Sequence, residues 1–244
     1  MNIKTDNRKS CSLSSGFIAL DDSYAARGKF HYWWLENMND ETDTQKKLSY
    51  SAFTMDMVCR KFNIRLSLKG LFDNVELVPP SDFLTTILQR SGSLFLYSEK
   101  ARSEFIIAPV LLEIREILNH TVSIYSGMRL DVSPDEGLQG ICDFIITKTP
   151  PFPTVQAPLI MLVEAKRNAV EEGLGQCAAE MIAAHRLNQE DELPFSKVYG
   201  CVTTGELWQF LQLEDKNLLI DPTKIYIEHI DRILGILLTM GNSI

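Results

Sequence analysis

The chain has 244 residues, of which 45% are hydrophobic and 23% charged, and its formal net charge is −8. That profile suits a globular fold with one good-sized core, and no apolar run approaches the roughly 20 residues that span a bilayer, so no membrane partner is expected. The acidic balance weighs against a nucleic-acid partner, because phosphate contacts favour basic surfaces, although a local basic cleft and metal-holding carboxylates would reconcile the two.

The first twenty residues carry a basic patch without a sustained apolar stretch, so they are not read as a signal peptide. Residues 1–50 read as a polar N-terminal extension and 51–244 as the main domain. Residues 38–47 read as a solvated loop. Within the extension, Phe30-His31-Tyr32-Trp33-Trp34 forms an aromatic cluster. It is first a docking patch for the extension and second a base-stacking platform.

From Ser51 the pattern becomes regular. Ser51 can cap a helix over 53–62, and 64–68 alternates like a strand. After Pro79-Pro80, Ser81 or Asp82 can cap a helix over 83–89. Residues 98–120 show helical spacing, with Ser98 as N-cap and a kink at Pro109. At about 100° per residue, Arg102, Glu113 and Glu116 share the wet face. Glu104 falls on the opposite side with Ile107, Ala108, Leu111 and Leu118, where a carboxylate must be paired or functional. Arg115 is one partner within reach.

Residues 122–125 and 128–132 read as a strand pair or one bent strand, and Pro134 to Gly137 as a turn. Two apolar runs follow, 141–146 and 159–163, joined by a Pro-rich connector over 149–158. Each carries a carboxylate where a buried strand should have none, Asp143 and Glu164, and Lys166 follows two residues later. A helix over 169–189 contains Gln176. Its small residues at 178, 179, 183 and 184 imply close packing, and His185 on its apolar face reads as a core histidine. Leu193-Pro194 ends that helix. Strands over 198–202, 207–213, 218–220 and 224–228 and a helix over 229–240 complete an α/β domain with a mixed sheet.

Five scattered cysteines (Cys11, Cys59, Cys142, Cys177, Cys201) lack C-x-x-C spacing, which argues against a disulfide framework and a structural zinc site and suits a reducing cytoplasm. His31, His120, His185 and His229 form no zinc-hydrolase or triad signature.

Side chains two apart in a strand share a face, so Glu164 and Lys166 point the same way. If the two runs pair, Asp143 lies beside Glu164. Two carboxylates alone would repel one another, and a divalent cation resolves the conflict. Hard oxygen ligands suit Mg²⁺ or Mn²⁺. Such a cation with a nearby lysine is sufficient for phosphodiester hydrolysis.

Asp143, then Glu164-Ala165-Lys166, then Gln176 in the next helix resembles the PD-(D/E)XK nuclease superfamily, the restriction-endonuclease-like fold. The stretch from Glu99 to Leu237, through SEKARSEFIIAPVLLE, GICDFII, VEAK, GLGQCAAEM, VYGCVTTG and ILGILL, also resembles uncharacterised bacterial proteins of that superfamily, many of them cyanobacterial. Cys142 stands where the motif has proline. The resemblance implies a Mg²⁺-dependent nuclease acting on DNA, with a mixed sheet flanked by helices. Asp143, Glu164, Lys166 and Gln176 would be catalytic, and Glu104, Asp143 and Glu164 would hold the metal. A homodimer is one assembly open to it. Two rival readings remain: a catalytically inactive domain that binds nucleic acid or protein, and a protein whose carboxylates are structural and whose helix faces form an oligomer.

Overall fold

A computed structural model describes residues 48–191 and 196–242. The aromatic cluster at 30–34, the loop at 38–47, the rest of the extension before Leu48, and Leu193-Pro194 lie outside the described residues. The architecture is mixed α/β, with an eight-stranded sheet flanked by helices.

The strands are β1 (Arg65–Leu68), β2 (Ser123–Arg129), β3 (Ile141–Thr147), β4 (Leu159–Ala165), β5 (Lys197–Thr203), β6 (Leu207–Glu214), β7 (Asn217–Ile220) and β8 (Ile225–Tyr226). Their order is β1-β7-β6-β5-β4-β3-β2, with β8 pairing β6 beside this path. The β1–β7 and β4–β5 pairs are parallel and the others antiparallel. β4 is buried along its whole length, as its unbroken apolar run requires of a central strand. β2 is one continuous strand with Gly127 at φ 64°.

The helices are α1 (Met55–Phe62), α2 (Asp82–Ser91), α3 (Glu99–Arg102), α4 (Ala108–Ile117), α5 (Leu174–Glu190) and α6 (Ile230–Asn242). α5 covers one face of the sheet, with Cys177, Ala178 and Met181 against Leu162, Val198 and Val202. α4 and α6 cover the other, with Val110, Ile233 and Leu237 against Phe144, Val163 and Phe210. The small residues of α5 are spent inside the chain: Ala178, Ala179, Ala183 and Ala184 are all buried.

Several boundaries differ from expectation. Tyr50–Ala52 forms a 3₁₀ turn, and Thr54 rather than Ser51 caps α1, accepting from the Met57 N–H. Burial of both Tyr50 and Phe53 draws this segment into the core, and the Tyr50 hydroxyl donates to the Leu130 carbonyl at 2.8 Å. β8 is short because a 3₁₀ turn begins at Ile227.

The largest correction concerns residues 98–120. α3 and α4 are joined by a π-helical turn, Ser103–Ile107. Pro109 has no N–H to give to the Phe105 carbonyl; Ser91 Oγ donates to it instead at 2.9 Å. The extra residue of a π turn shifts the helical phase by about one residue. Glu113, expected in water, is therefore buried and accepts from the Ser81 N–H and hydroxyl. Arg102, also expected in water, is largely covered and donates to the Thr204 carbonyl at 2.8 Å. Glu104, expected on the dry face, is exposed and pairs with Lys100 at 2.7 Å. Arg115 lies instead against Glu116 and His120.

Candidate active site

β3 and β4 pair with Phe144 opposite Val163 and Ile145 opposite Leu162. Continued by one residue, this antiparallel register sets Asp143 beside Glu164. Asp143 Oδ2 accepts the Ala165 N–H at 2.8 Å, which fixes its carboxyl at the end of β4. Glu164 is almost completely buried, and its Oε1 accepts from the Lys166 ammonium. The Lys166 N–H donates to the Thr203 carbonyl at 2.8 Å, carrying the β4–β5 pairing past the end of β4.

α5 closes the arrangement. Gln176 Oε1 accepts from Lys166 Nζ at 3.2 Å, and Gln176 Nε2 donates to Glu180 Oε1 at 3.1 Å. Glu180 is fully buried, and its carboxyl reaches Glu164. Glu164, Lys166, Gln176 and Glu180 thus form a ring between β4 and α5. Gly173, just before α5, leaves room for it: an added Cβ would stand 3.0 Å from Lys166 Cγ and 2.6 Å from Val202 Cγ1.

The electrostatics follow from burial. Burial, and then the neighbouring Asp143 charge, push the Glu164 carboxyl up to about 8, against the opposing pull of Lys166. Burial raises Asp143 as well, with the Ala165 N–H and Lys166 working the other way. Glu180 is raised well above the usual carboxylate range by burial and by Glu164. For Lys166, burial disfavours the ammonium, but Glu164, Glu99 and Asp143 outweigh it and hold the group above its ordinary value. Three carboxyls therefore share one ammonium, and Glu164 Oε2 and Glu180 Oε2 have no hydrogen-bond partner. A carboxylate oxygen so placed is satisfied by a proton or by a cation.

Among the described residues, no three His, Cys, Asp or Glu side chains form a ready metal-binding group. Mg²⁺ needs a smaller set, being held through one or two carboxylates while keeping several waters; Asp143 lines the cleft, and Glu164 offers a buried, unpartnered Oε2 behind it.

Asp143 opens onto a cleft of about 320 Å³ whose walls include Glu99, Lys100, Ser103, Glu104 and Gly127. Glu104 thus reaches the same cleft as Asp143, from the wet side and engaged with Lys100. Glu99 is more tightly involved. Its Oε1 accepts the Arg167 N–H at 3.1 Å, and its charge acts on both Asp143 and Lys166. Sequence reasoning missed Glu99 and Glu180. Glu180 was detectable as the residue one turn after Gln176 on the same helix face. Glu99 was detectable as the first residue of the helix capped by Ser98. His185 is a buried residue on the far side of α5, its imidazole held below its ordinary value by burial.

No family model matches this chain, and no curated protein matches it. Among solved structures, the type IIG restriction endonuclease BpuSI aligns with a TM-score of 0.38 and 16% identity over 57% of this chain. The aligned region covers 16% of that enzyme's length.

Proposed function

We propose that this chain is a metal-dependent phosphodiesterase of the restriction-endonuclease-like type, hydrolysing nucleic acid and, in the first instance, DNA. One observation carries the reading: Asp143, Glu164 and Lys166 meet at the ends of two paired central strands, with Lys166 held between Glu164 and Gln176. Asp143 and Glu164 would hold Mg²⁺ or Mn²⁺, with Glu104 assisting from the cleft wall directly or through water. When bound, such an ion supplies a Lewis acid for the scissile phosphate and lowers the pKa of water. Lys166 would orient the attacking water and offset the negative charge that develops on phosphorus. Gln176 holds the Lys166 ammonium in line, and Glu180 holds Gln176.

A second reading is favoured by a specific contact. The Lys166 ammonium already occupies Glu164 Oε1, which suits an inactive domain that binds nucleic acid or protein. Cleavage assays with purified protein, Mg²⁺ or Mn²⁺, and linear, circular and single-stranded DNA separate the two. The nuclease reading expects cleavage that Asp143→Ala and Lys166→Ala abolish, with a calorimetric cation signal that Asp143→Ala removes. No cleavage of any DNA or RNA form, together with no such cation signal, would sink it. Retained DNA affinity in a Glu164→Ala, Lys166→Ala double variant of an inactive parent supports the binding module.

A further inference from the structure

The segment leading into α3 carries a feature that the hydrolytic ring does not use. Phe95 and Tyr97 lie parallel, their ring centroids 5.7 Å apart and their planes 5° from one another. The Arg167 guanidinium sits 3.9 Å from the centre of the Tyr97 ring. Phe95 is 88% exposed and Tyr97 59% exposed. Scattered exposed apolar side chains are ordinary on protein surfaces. A parallel pair with a cation over one ring is different, because aromatic–aromatic and cation–aromatic contacts hold the rings in a fixed orientation.

Position gives this ladder its meaning. Arg167 directly follows Lys166, and its backbone N–H is held by Glu99, which also lines the cleft of Asp143. The segment itself is tied down: the Leu96 carbonyl accepts from Arg102 Nε at 3.0 Å, and the Tyr97 N–H donates to the Phe95 carbonyl at 3.0 Å. Lys100, whose side chain is 82% exposed and pairs with Glu104, stands on the same short stretch. Two flat rings and a guanidinium, linked through Glu99 to the cleft of Asp143, match the chemistry of unpaired bases on a phosphate backbone.

We infer that Phe95, Tyr97 and Arg167 form a stacking platform for unpaired nucleobases next to the scissile phosphate, so that the substrate is single-stranded DNA or a frayed end. This rests on the phosphodiesterase reading of the adjoining site. The platform also answers the acidic balance of the chain. A protein of net charge −8 gains little from long-range attraction to phosphate, whereas base–aromatic stacking works at contact and does not depend on net charge.

The test is fluorescence anisotropy of a labelled oligothymidylate in chelator, alongside a duplex of mixed sequence and an abasic strand of equal length. Phe95→Ala and Tyr97→Ala are expected to weaken single-strand binding by roughly tenfold or more, and Phe95→Trp to preserve it. The abasic strand should bind as weakly to the parent as the oligothymidylate does to Phe95→Ala. The platform is overturned if Phe95→Ala and Tyr97→Ala bind the oligothymidylate as tightly as the parent, or if the abasic strand binds as well as its base-bearing counterpart. A parent that cleaves DNA, with Phe95→Ala binding and cleaving equally well, removes the platform and leaves the nuclease. A parent that binds single strands through Phe95 without cleaving them keeps the platform and removes the nuclease. A parent that binds no oligothymidylate in chelator and cleaves no nucleic acid with Mg²⁺ or Mn²⁺ removes both.

Discussion

Glu164 occupies a position that the rest of β4 fills with hydrocarbon, and its neighbours decide how it is tolerated. Without a cation, a proton is the cheapest compensation, which is why burial and Asp143 drive its carboxyl up to about 8. On the proposed reading, a divalent ion held by Glu164 would have to displace that proton. Cation affinity is therefore expected to fall about tenfold for each pH unit below 8, one proton being released per ion. Calorimetry at pH 6, 7 and 8 in buffers of different ionisation enthalpy checks both numbers, and a pH-independent affinity would remove Glu164 from the ligand set. Gln176 acts one step further out. Gln176→Ala removes one of the two acceptors of Lys166 Nζ and leaves Glu180 Oε1 without its donor, so activity is expected to drop by about 10–100-fold. The loss should appear in kcat rather than KM, since Gln176 positions Lys166 and is not assigned to the substrate.

At the scale of elements, the site depends on how closely α5 approaches the sheet. Gly200 in β5 makes that approach possible: an added Cβ would lie 2.4 Å from Met181 Sδ and 2.9 Å from Cys177 Sγ. Gly200→Ala is expected to push α5 outward, costing about 1–3 kcal/mol of stability and pulling Gln176 and Glu180 away from Lys166. Urea denaturation reads the first effect and single-turnover cleavage the second. Elements also show what the sequence made legible. The two apolar runs of β3 and β4 each exposed a misplaced carboxylate, and period-two alternation set Glu164 and Lys166 on one side; both features are local. The face of 98–120 was not legible, because helical spacing read at a constant rotation of about 100° per residue does not register a π turn, and the Ser91 hydroxyl that donates to the Phe105 carbonyl within it comes from another helix. One inserted residue turned Glu113 inward and Glu104 outward. The role of Gln176 was equally hidden, since helix periodicity alone could not reveal which side chain at the end of β4 its amide would meet.

For the molecule as a whole, the buried acids set the response to pH. Glu164, Glu180 and Asp143 are all raised in the fold. Each binds its proton more tightly folded than unfolded, so its stabilising contribution is present below the unfolded value and is lost as pH rises through the folded one. His185 works oppositely: its lowered value removes stability as pH falls below about 6.5. Between about pH 6.5 and 8 the acids act, joined toward pH 8 by the thiols of Cys59, Cys142, Cys177 and Cys201, which burial also raises, so stability of the cation-free protein is expected to decline across that window. Equilibrium denaturation in chelator measures the decline, and Glu164→Gln should make it shallower. Added Mg²⁺ should restore more stability at pH 8 than at pH 6. No helix among the described residues is long and apolar enough to cross a membrane.

The parallel pairing of β1 with β7 joins Arg65 to Asn217 and Leu68 to Ile220. During synthesis, β1 leaves the ribosome about 150 residues before its partner, a delay of roughly 10–30 s at ordinary elongation rates. Through that interval Leu66 and Leu68, which remain 41% and 71% exposed even in the finished fold, have no strand beside them. The β1 edge of the sheet is thus completed late. A nascent chain halted before residue 217 should be cut by protease near 65–68, and the released full-length chain should be protected there.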